Sequence, residues 1–420
     1  MNQTESAFKS VEENEAYIVD VLRRVIAIDT SVPPGQNYDR LIDEVEPDFR
    51  KFGFATERVV VPEERVQQIP LSLNGPRTNL VARMNSGKPP LSAYAHMDVV
   101  PIEEAWTRDP FAGEIVDGKL YGRGTVDMKY AIACFLGAAK VIYELGLEPH
   151  YDLSCLLCTD EEIGVYPGSR YLAEEGYFSP HLVWMELGAM EPVVMLGAAG
   201  AVRVEITAVG KSCHSGMNYL GVNAVEEMVP VMQELLNLKK DVEQRLSGIP
   251  AIPRPGSPYD KMTPMFNLNI IRGGTKDNIV PGECRLTINR RYIPDERYED
   301  VVAEIDAALA RARGKSKLLD LYTTVVHMYP PVEVDPMSPA SRRAREAARA
   351  VMGYEDFIYG GLSVSTDLGF VTRALAPQPV EVAFFGVIRS SEMMAHAADE
   401  FVHIEDLVNM TKELVYYFAL

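Results

Sequence analysis

Cysteine, basic charge and long apolar runs are all scarce in this chain. Five cysteines are scattered over 420 residues, which does not make a disulfide framework. Cys155 and Cys158 have C-x-x-C spacing, but they lie in DLSCLLCTDEE, an apolar run that reads as a buried strand. Residues three apart on a strand face opposite sides, so both are expected in the core rather than on a shared metal. Lys and Arg total 41 against 60 Asp and Glu, a formal charge of −19. That balance argues against nucleic acid and anionic membranes as partners. It leaves room for an anionic substrate, because a metal site can be locally positive inside an acidic protein. No stretch approaches the roughly 20 apolar residues that span a bilayer. The opening MNQTESAFKSVEENEAYIVD is polar and lacks the apolar core of a secretory leader, so a cytoplasmic location is expected.

What is present is a globular composition, 47% hydrophobic and 24% charged, on a chain long enough for two domains. PLSAYAHMDVVP is almost wholly apolar up to His96, as a central strand covered on both faces should be. DMKYAIACFLGAAKVIYELG follows as a long helix, and YDLSCLLCTDEEIG and HLVWMELG read as further strands. This alternation predicts a mostly parallel sheet with helices on both faces. The character changes near residue 198. AAGAVRVEITAVG alternates as a half-buried strand, and NAVEEMVPVMQELLNLKK follows as an amphipathic helix. MFNLNIIRGG, ECRLTINRRYIP, ERYEDVVAEIDAALARARG and KLLDLYTTVVHMYPPVEV complete a βαββαβ order, the split pattern of a ferredoxin-like module. The fold class expected is α/β: a large catalytic domain of residues 1–198 and 332–420, with an inserted α+β lid over 199–331. A proline-rich loop, RLSGIPAIPRPGSPYDKMTP, interrupts the insert.

Potential metal ligands cluster at the ends of these strands, where an open α/β sheet places its site. His96 ends its strand, and Asp98 shares its face and is positioned to orient the ring. Asp127 sits in the glycine-rich turn LYGRGTVDMK that opens a helix. Glu161 and Glu162 are adjacent in CTDEEIG and should point apart, so one can bind metal while the other faces substrate. Glu186 ends VWMELG, and His396 lies in MMAHAADEF. Singly, each would be an ordinary cap or turn residue. It is the ordered set that points to chemistry.

That set resembles the M20 metallopeptidases. AYAHMDVVP, WTRDPFAGEIVDGKLYGRGTVDMK, CTDEEIG, KSCHSGMNYLGVNA, DNIVPGECRLTINRRYIPDE, GGLSVSTD and AHAADEFVHIEDL are similar to its conserved blocks, in order and over nearly the whole chain. The resemblance implies two divalent cations, zinc first with manganese or cobalt as alternatives. His96 and Glu186 would hold one, Glu162 and His396 the other, with Asp127 between them. It makes Glu161 the general base and Asp98 the orienter of His96, and it gives His214 a role in stabilising the oxyanion, often from a neighbouring subunit. Asn278, Arg291 and Gly361 resemble substrate-contacting positions; a guanidinium at 291 suits a substrate carboxylate. The implied partners are a small, carboxylate-bearing substrate and a second copy of the chain, as a lid-to-lid homodimer or a larger homo-oligomer. The implied reaction is hydrolysis of an amide bond in an N-acyl amino acid or short peptide, with a water shared by the two metals as nucleophile. Two departures from the pattern lie near the pocket: FGVIRSSEMMAH precedes the last histidine, and Glu186 is followed by Leu-Gly-Ala-Met. Arg389, in the first of these, is a candidate contact for a substrate anion or aromatic ring. These departures keep open an aminohydrolase that releases ammonia from another C–N bond, such as that of an amino-aromatic acid. A third alternative, from a different class, is a catalytically silent binding protein.

Overall fold

The computed structural model describes residues 2–254, 256–392 and 394–420. The polar start folds: Gln3–Glu13 is a helix whose N-terminus is closed by a reciprocal Asn2–Glu5 capping box. The larger body is built on a six-stranded sheet. In spatial order its strands are Ala55–Val60, Thr78–Arg83, Asp152–Cys158, Pro90–His96, His181–Trp184 and Glu381–Phe384. The last four are mutually parallel, and the first two attach antiparallel at one edge. The apolar runs seen in the sequence are these parallel strands. Tyr94, Leu156 and Trp184 are buried with almost no exposure, since helices cover both faces. Helix Tyr130–Glu144 is apolar nearly all round because it lies sandwiched in the core, packed on helices Glu15–Ile26 and Ile404–Ala419. Cys155 and Cys158 are free and buried, and burial pushes both thiols up.

Residues 200–329 carry a second sheet with its own core. Its strands are Gly200–Val209, Met265–Gly273, Glu283–Tyr292 and Asp320–Tyr329, arranged second-third-first-fourth and all antiparallel. Helices Ala224–Val242 and Tyr298–Arg313 lie on it, giving the βαββαβ order of a ferredoxin-like module. The alternation of Glu283–Tyr292 is strict, with Cys284, Leu286, Ile288 and Arg290 inward. Between the two bodies runs a small sheet absent from the sequence reading, in which Val193–Ala198 pairs with Ile358–Leu362 and Val332–Glu333. Among the described residues, no helix is long and apolar enough to cross a membrane.

Candidate metal centre and its cavity

The site sits at the carboxyl ends of the parallel strands, where their side chains emerge from the sheet. His96 is the last residue of its strand and lies beside Cys158 in register, so the turn after Cys158 brings Glu161 and Glu162 against it. Glu186 leaves the neighbouring strand two residues beyond Trp184. Asp127 stands at the mouth of helix Tyr130–Glu144, and the Asp127–Met128 peptide is cis. His396 comes from the loop before Phe401–His403 and takes a positive φ.

The resulting geometry is one that could hold cations. One oxygen of Asp127 lies 3.2 Å from His96 Nε2, and its other oxygen lies 3.2 Å from His396 Nε2. His396 Nε2 is also 3.1 Å from Glu162. Two overlapping triplets, His96–Asp127–Glu162 and His96–Glu161–Glu186, each bring one ligand atom per residue within 4.8 Å of the others. His96 Nδ1 faces the Asp98 backbone oxygen at 3.0 Å and the Asp98 carboxylate at 3.6 Å, leaving Nε2 for the cluster. The Asp98 carboxylate also accepts the Glu162 backbone N–H at 2.9 Å.

The electrostatics fit the same description. Burial and the neighbouring carboxylates push Glu162 up to about 7, Glu186 up to about 8, and Glu161 well above the usual range. Asp127 goes the other way. Burial opposes its charge, but hydrogen bonds from His396 and His96 outweigh it. Hydrogen bonds to Asp127 and Glu162 lift His396 to about 10. Four carboxylates crowded in one largely buried cluster repel one another unless cations lie among them. Glu162 Oε1 is buried without a hydrogen-bond partner, an acceptor with nothing yet to accept. Two imidazoles with carboxylate oxygens are a donor set that suits zinc or manganese.

Several supporting residues were not singled out from sequence. Glu400 is fully buried and braces the Asp127 turn, accepting from Val126 N–H at 2.7 Å, Gly124 N–H at 3.1 Å and the Arg123 guanidinium at 2.6 Å. Thr366 and the Trp184 indole donate to one oxygen of Glu186, at 2.7 and 3.1 Å. Trp184 is stacked on Tyr94, with ring centroids 3.7 Å apart, and the Tyr94 hydroxyl donates to buried Asp367 at 2.8 Å. The Tyr329 hydroxyl donates to the Glu161 carbonyl at 2.6 Å, tying the second sheet to the glutamate turn. The only sequence signal for Tyr94, Arg123, Thr366, Asp367 and Glu400 was their place inside the matched blocks; Trp184 and Tyr329 lie outside them.

A cavity of about 630 Å³ opens over the cluster. Asp127, Glu161, Glu162, Glu186 and His396 line one part of it, and Arg291 enters from strand Glu283–Tyr292. Arg291 donates to Ser365 Oγ at 2.5 Å, and burial lowers its pKa. The other expected contacts fall elsewhere. His214 is exposed in a two-residue strand beside Ile279, its Nδ1 taken by Gly216 N–H, and neither it nor exposed Asn278 lines the cavity. Gly361 lies in strand Ile358–Leu362, where both its backbone groups bond to Pro250 and Ile252. A Cβ there would come within 2.2 Å of Met262 Sδ, so the close approach that needs glycine is made by the proline-rich loop. Arg389 is a correction. Its guanidinium is gripped by both oxygens of Asp406, at 2.7 and 2.8 Å, and by Glu405, and it does not line the cavity.

Comparison with known proteins identifies the family. The model of "Peptidase family M20/M25/M40" matches residues 93–419. A succinyl-diaminopimelate desuccinylase of Xanthomonas euvesicatoria is 31% identical over 339 residues, covering 78% of this chain and 83% of that protein. An acetylornithine deacetylase of Pectobacterium atrosepticum is 29% identical over 392 residues, covering 90% of each. Among solved structures, the dipeptidase Dug1p of Saccharomyces cerevisiae superposes with a TM-score of 0.80 at 18% identity, covering 99% of this chain and 98% of that one.

Proposed function

This chain belongs to peptidase family M20/M25/M40, and from that premise we propose that it hydrolyses the amide C–N bond of a small N-acyl amino acid or short peptide with two divalent cations. The observation that carries the reading is Asp127, whose two oxygens face two different histidines at 3.2 Å each. A carboxylate so placed suits a bridge between two centres. His96 and Glu186 would hold one cation and Glu162 and His396 the other, with zinc preferred for this mixed set and manganese or cobalt as alternatives. Bound there, the cations supply Lewis acidity, polarising the substrate carbonyl and acidifying a water.

The chain's own residues do the rest. Glu161 takes a proton from the attacking water as the C–O bond forms, then delivers it to the nitrogen as the C–N bond breaks. Its raised proton affinity, from burial and from Glu186, fits a group that must hold a proton between two steps. Asp98 fixes the His96 ring and the Glu162 backbone together. Arg291 is a donor for a substrate carboxylate next to the scissile bond. We propose residues 199–331 as a lid and dimerisation domain, with residues 1–198 and 332–420 as the catalytic body. The exposure of His214 and Asn278 away from the cavity supports a homodimer in which His214 serves the oxyanion of the neighbouring copy, with Asn278 beside it.

The test is Glu161→Ala. It should keep its metal content by elemental analysis and lose about 10²–10⁴-fold in turnover on N-acyl amino acids. Undiminished turnover would refute the base assignment. Assaying the released acid, amine and ammonia together separates amide hydrolysis from ammonia release.

A further inference from the structure

A second, smaller cavity of about 50 Å³ lies behind the metal centre. Helices Pro339–Met352 and Ile404–Ala419 and strand Glu381–Phe384 bound it. Leu187 lines both this cavity and the one over the cluster, so the turn that carries Glu186 is the wall between them.

Two ionisable groups of opposite sign line the small cavity, and neither has a counter-ion. Glu413 is only 7% exposed. Among the described residues its carboxyl makes no hydrogen bond and no ion pair, and burial alone pushes its pKa up to about 8. Arg345 is only 8% exposed. Its Nη1 donates to the Pro336 carbonyl at 2.7 Å and to Ser341 Oγ at 3.1 Å, while Nε and Nη2 donate to no group among the described residues. The Tyr359 ring lies 5.8 Å from the guanidinium and offers a π face, not a charge. Glu191 also lines the cavity, but both its oxygens already accept from Ser390, at 2.7 Å each. Holding an acid and a guanidinium out of water without partners is costly. A simple anion would answer Arg345 alone, and a simple amine would answer Glu413 alone.

We propose that this cavity is a binding site for a small free α-amino acid, glycine or alanine, with its carboxylate on Arg345 and its ammonium group on Glu413. The guanidinium fork suits a carboxylate. One water needs about 10–15 Å³, so the cavity takes about four waters, or one molecule of about five non-hydrogen atoms. Met190, Met195 and Phe384 in the wall accept a hydrogen or methyl side chain and leave no room for a longer one. The site is separate from the metal centre and is tested without turnover, so it stands or falls apart from the amide-hydrolase reading.

Calorimetric titration of the purified protein with glycine, acetate and methylamine is the test. Glycine should bind at least about tenfold more tightly than either half-ligand. Glu413→Gln keeps the shape of the side chain and should bring glycine down to the level of acetate. Arg345→Gln, once a melt shows it folded, should bring glycine down to the level of methylamine. Ala348→Phe touches neither charged group; it enlarges a half-buried residue of the cavity wall and should abolish glycine binding by bulk. Glycine that binds no better than acetate or methylamine overturns the proposal. So does glycine that binds Glu413→Gln and Ala348→Phe as tightly as wild type, since the amino acid then sits elsewhere, over the metal cluster.

Discussion

Replacing Glu400 with glutamine removes one oxygen from the group that braces the Asp127 turn, and the cost follows from its contacts. Oε2 accepts from the Arg123 guanidinium at 2.6 Å and from Gly124 N–H at 3.1 Å. Oε1 accepts from Val126 N–H at 2.7 Å and Asp127 N–H at 3.3 Å. All four partners are donors. Whichever way the glutamine amide turns, its NH₂ meets two of them and satisfies neither, and Arg123 loses its counter-charge in a dry site. Two lost charge-assisted bonds at roughly 1.5–3 kcal/mol each give about 3–6 kcal/mol, the scale of breaking a buried ion pair. That is a large fraction of an ordinary folding stability. The turn that relaxes carries the carboxylate facing both histidines, so cation affinity should also fall, by about 10–100-fold. Urea denaturation measures the first effect, and competition against a chromogenic chelator measures the second. A Glu400→Gln protein within about 1 kcal/mol of wild type and equally tight for metal would refute the reasoning.

Other perturbations read other parts of the structure. Glu413 is buried beside a small cavity lined by Arg345 and Tyr354, and burial pushes its pKa from 4.5 to about 8. The folded chain therefore holds a proton that the unfolded chain releases, and this contribution to stability is lost as pH rises from about 4.5 through 8. The ceiling is about 5 kcal/mol, at 1.36 kcal/mol for each of the 3.5 units between 4.5 and 8. Glu413→Gln should gain on wild type across that window in urea melts at several pH values; a pH-independent difference between the two proteins would contradict the buried-acid account. Arg389→Ala leaves Asp406, only 1% exposed, without its partner, so stability should drop by about 3 kcal/mol. Turnover of the folded fraction should stay unchanged, and a selective rise in KM would instead return Arg389 to the pocket.

The sequence carried the main architecture because period and apolarity are local signals. Pro90–His96 had to be central once it was apolar on both faces, and Glu283–Tyr292 had to be a one-sided strand once it alternated. His96, Asp127, Glu162, Glu186 and His396 were legible as candidates because they stand at strand ends or turns, and the fold brings them together. What did not show was pairing. Nothing in FGVIRSSEMMAH reveals that Arg389 meets Asp406, because that contact depends on how helix Ile404–Ala419 docks. Glu400 and Asp367 read as ordinary acids in polar segments, and only tertiary burial turns them into braces. Val193–Ala198 was missed because its partners lie more than a hundred residues onward, at Val332–Glu333 and Ile358–Leu362.

The proline-rich loop belongs to one sheet by chain order and to another by its bonding. It leaves and re-enters the antiparallel module, yet Ala251 bridges to Gly361, and Gly361 N–H bonds to the Pro250 carbonyl in the small central sheet. Excising the module at its sequence borders would therefore strip a wall from the body left behind. Grafting the module onto another scaffold would carry away a loop still shaped for a seat it no longer has. The mechanical seam of this molecule runs inside the insert, and chimeras should be cut there, on the antiparallel-sheet side of Pro250 and Thr263.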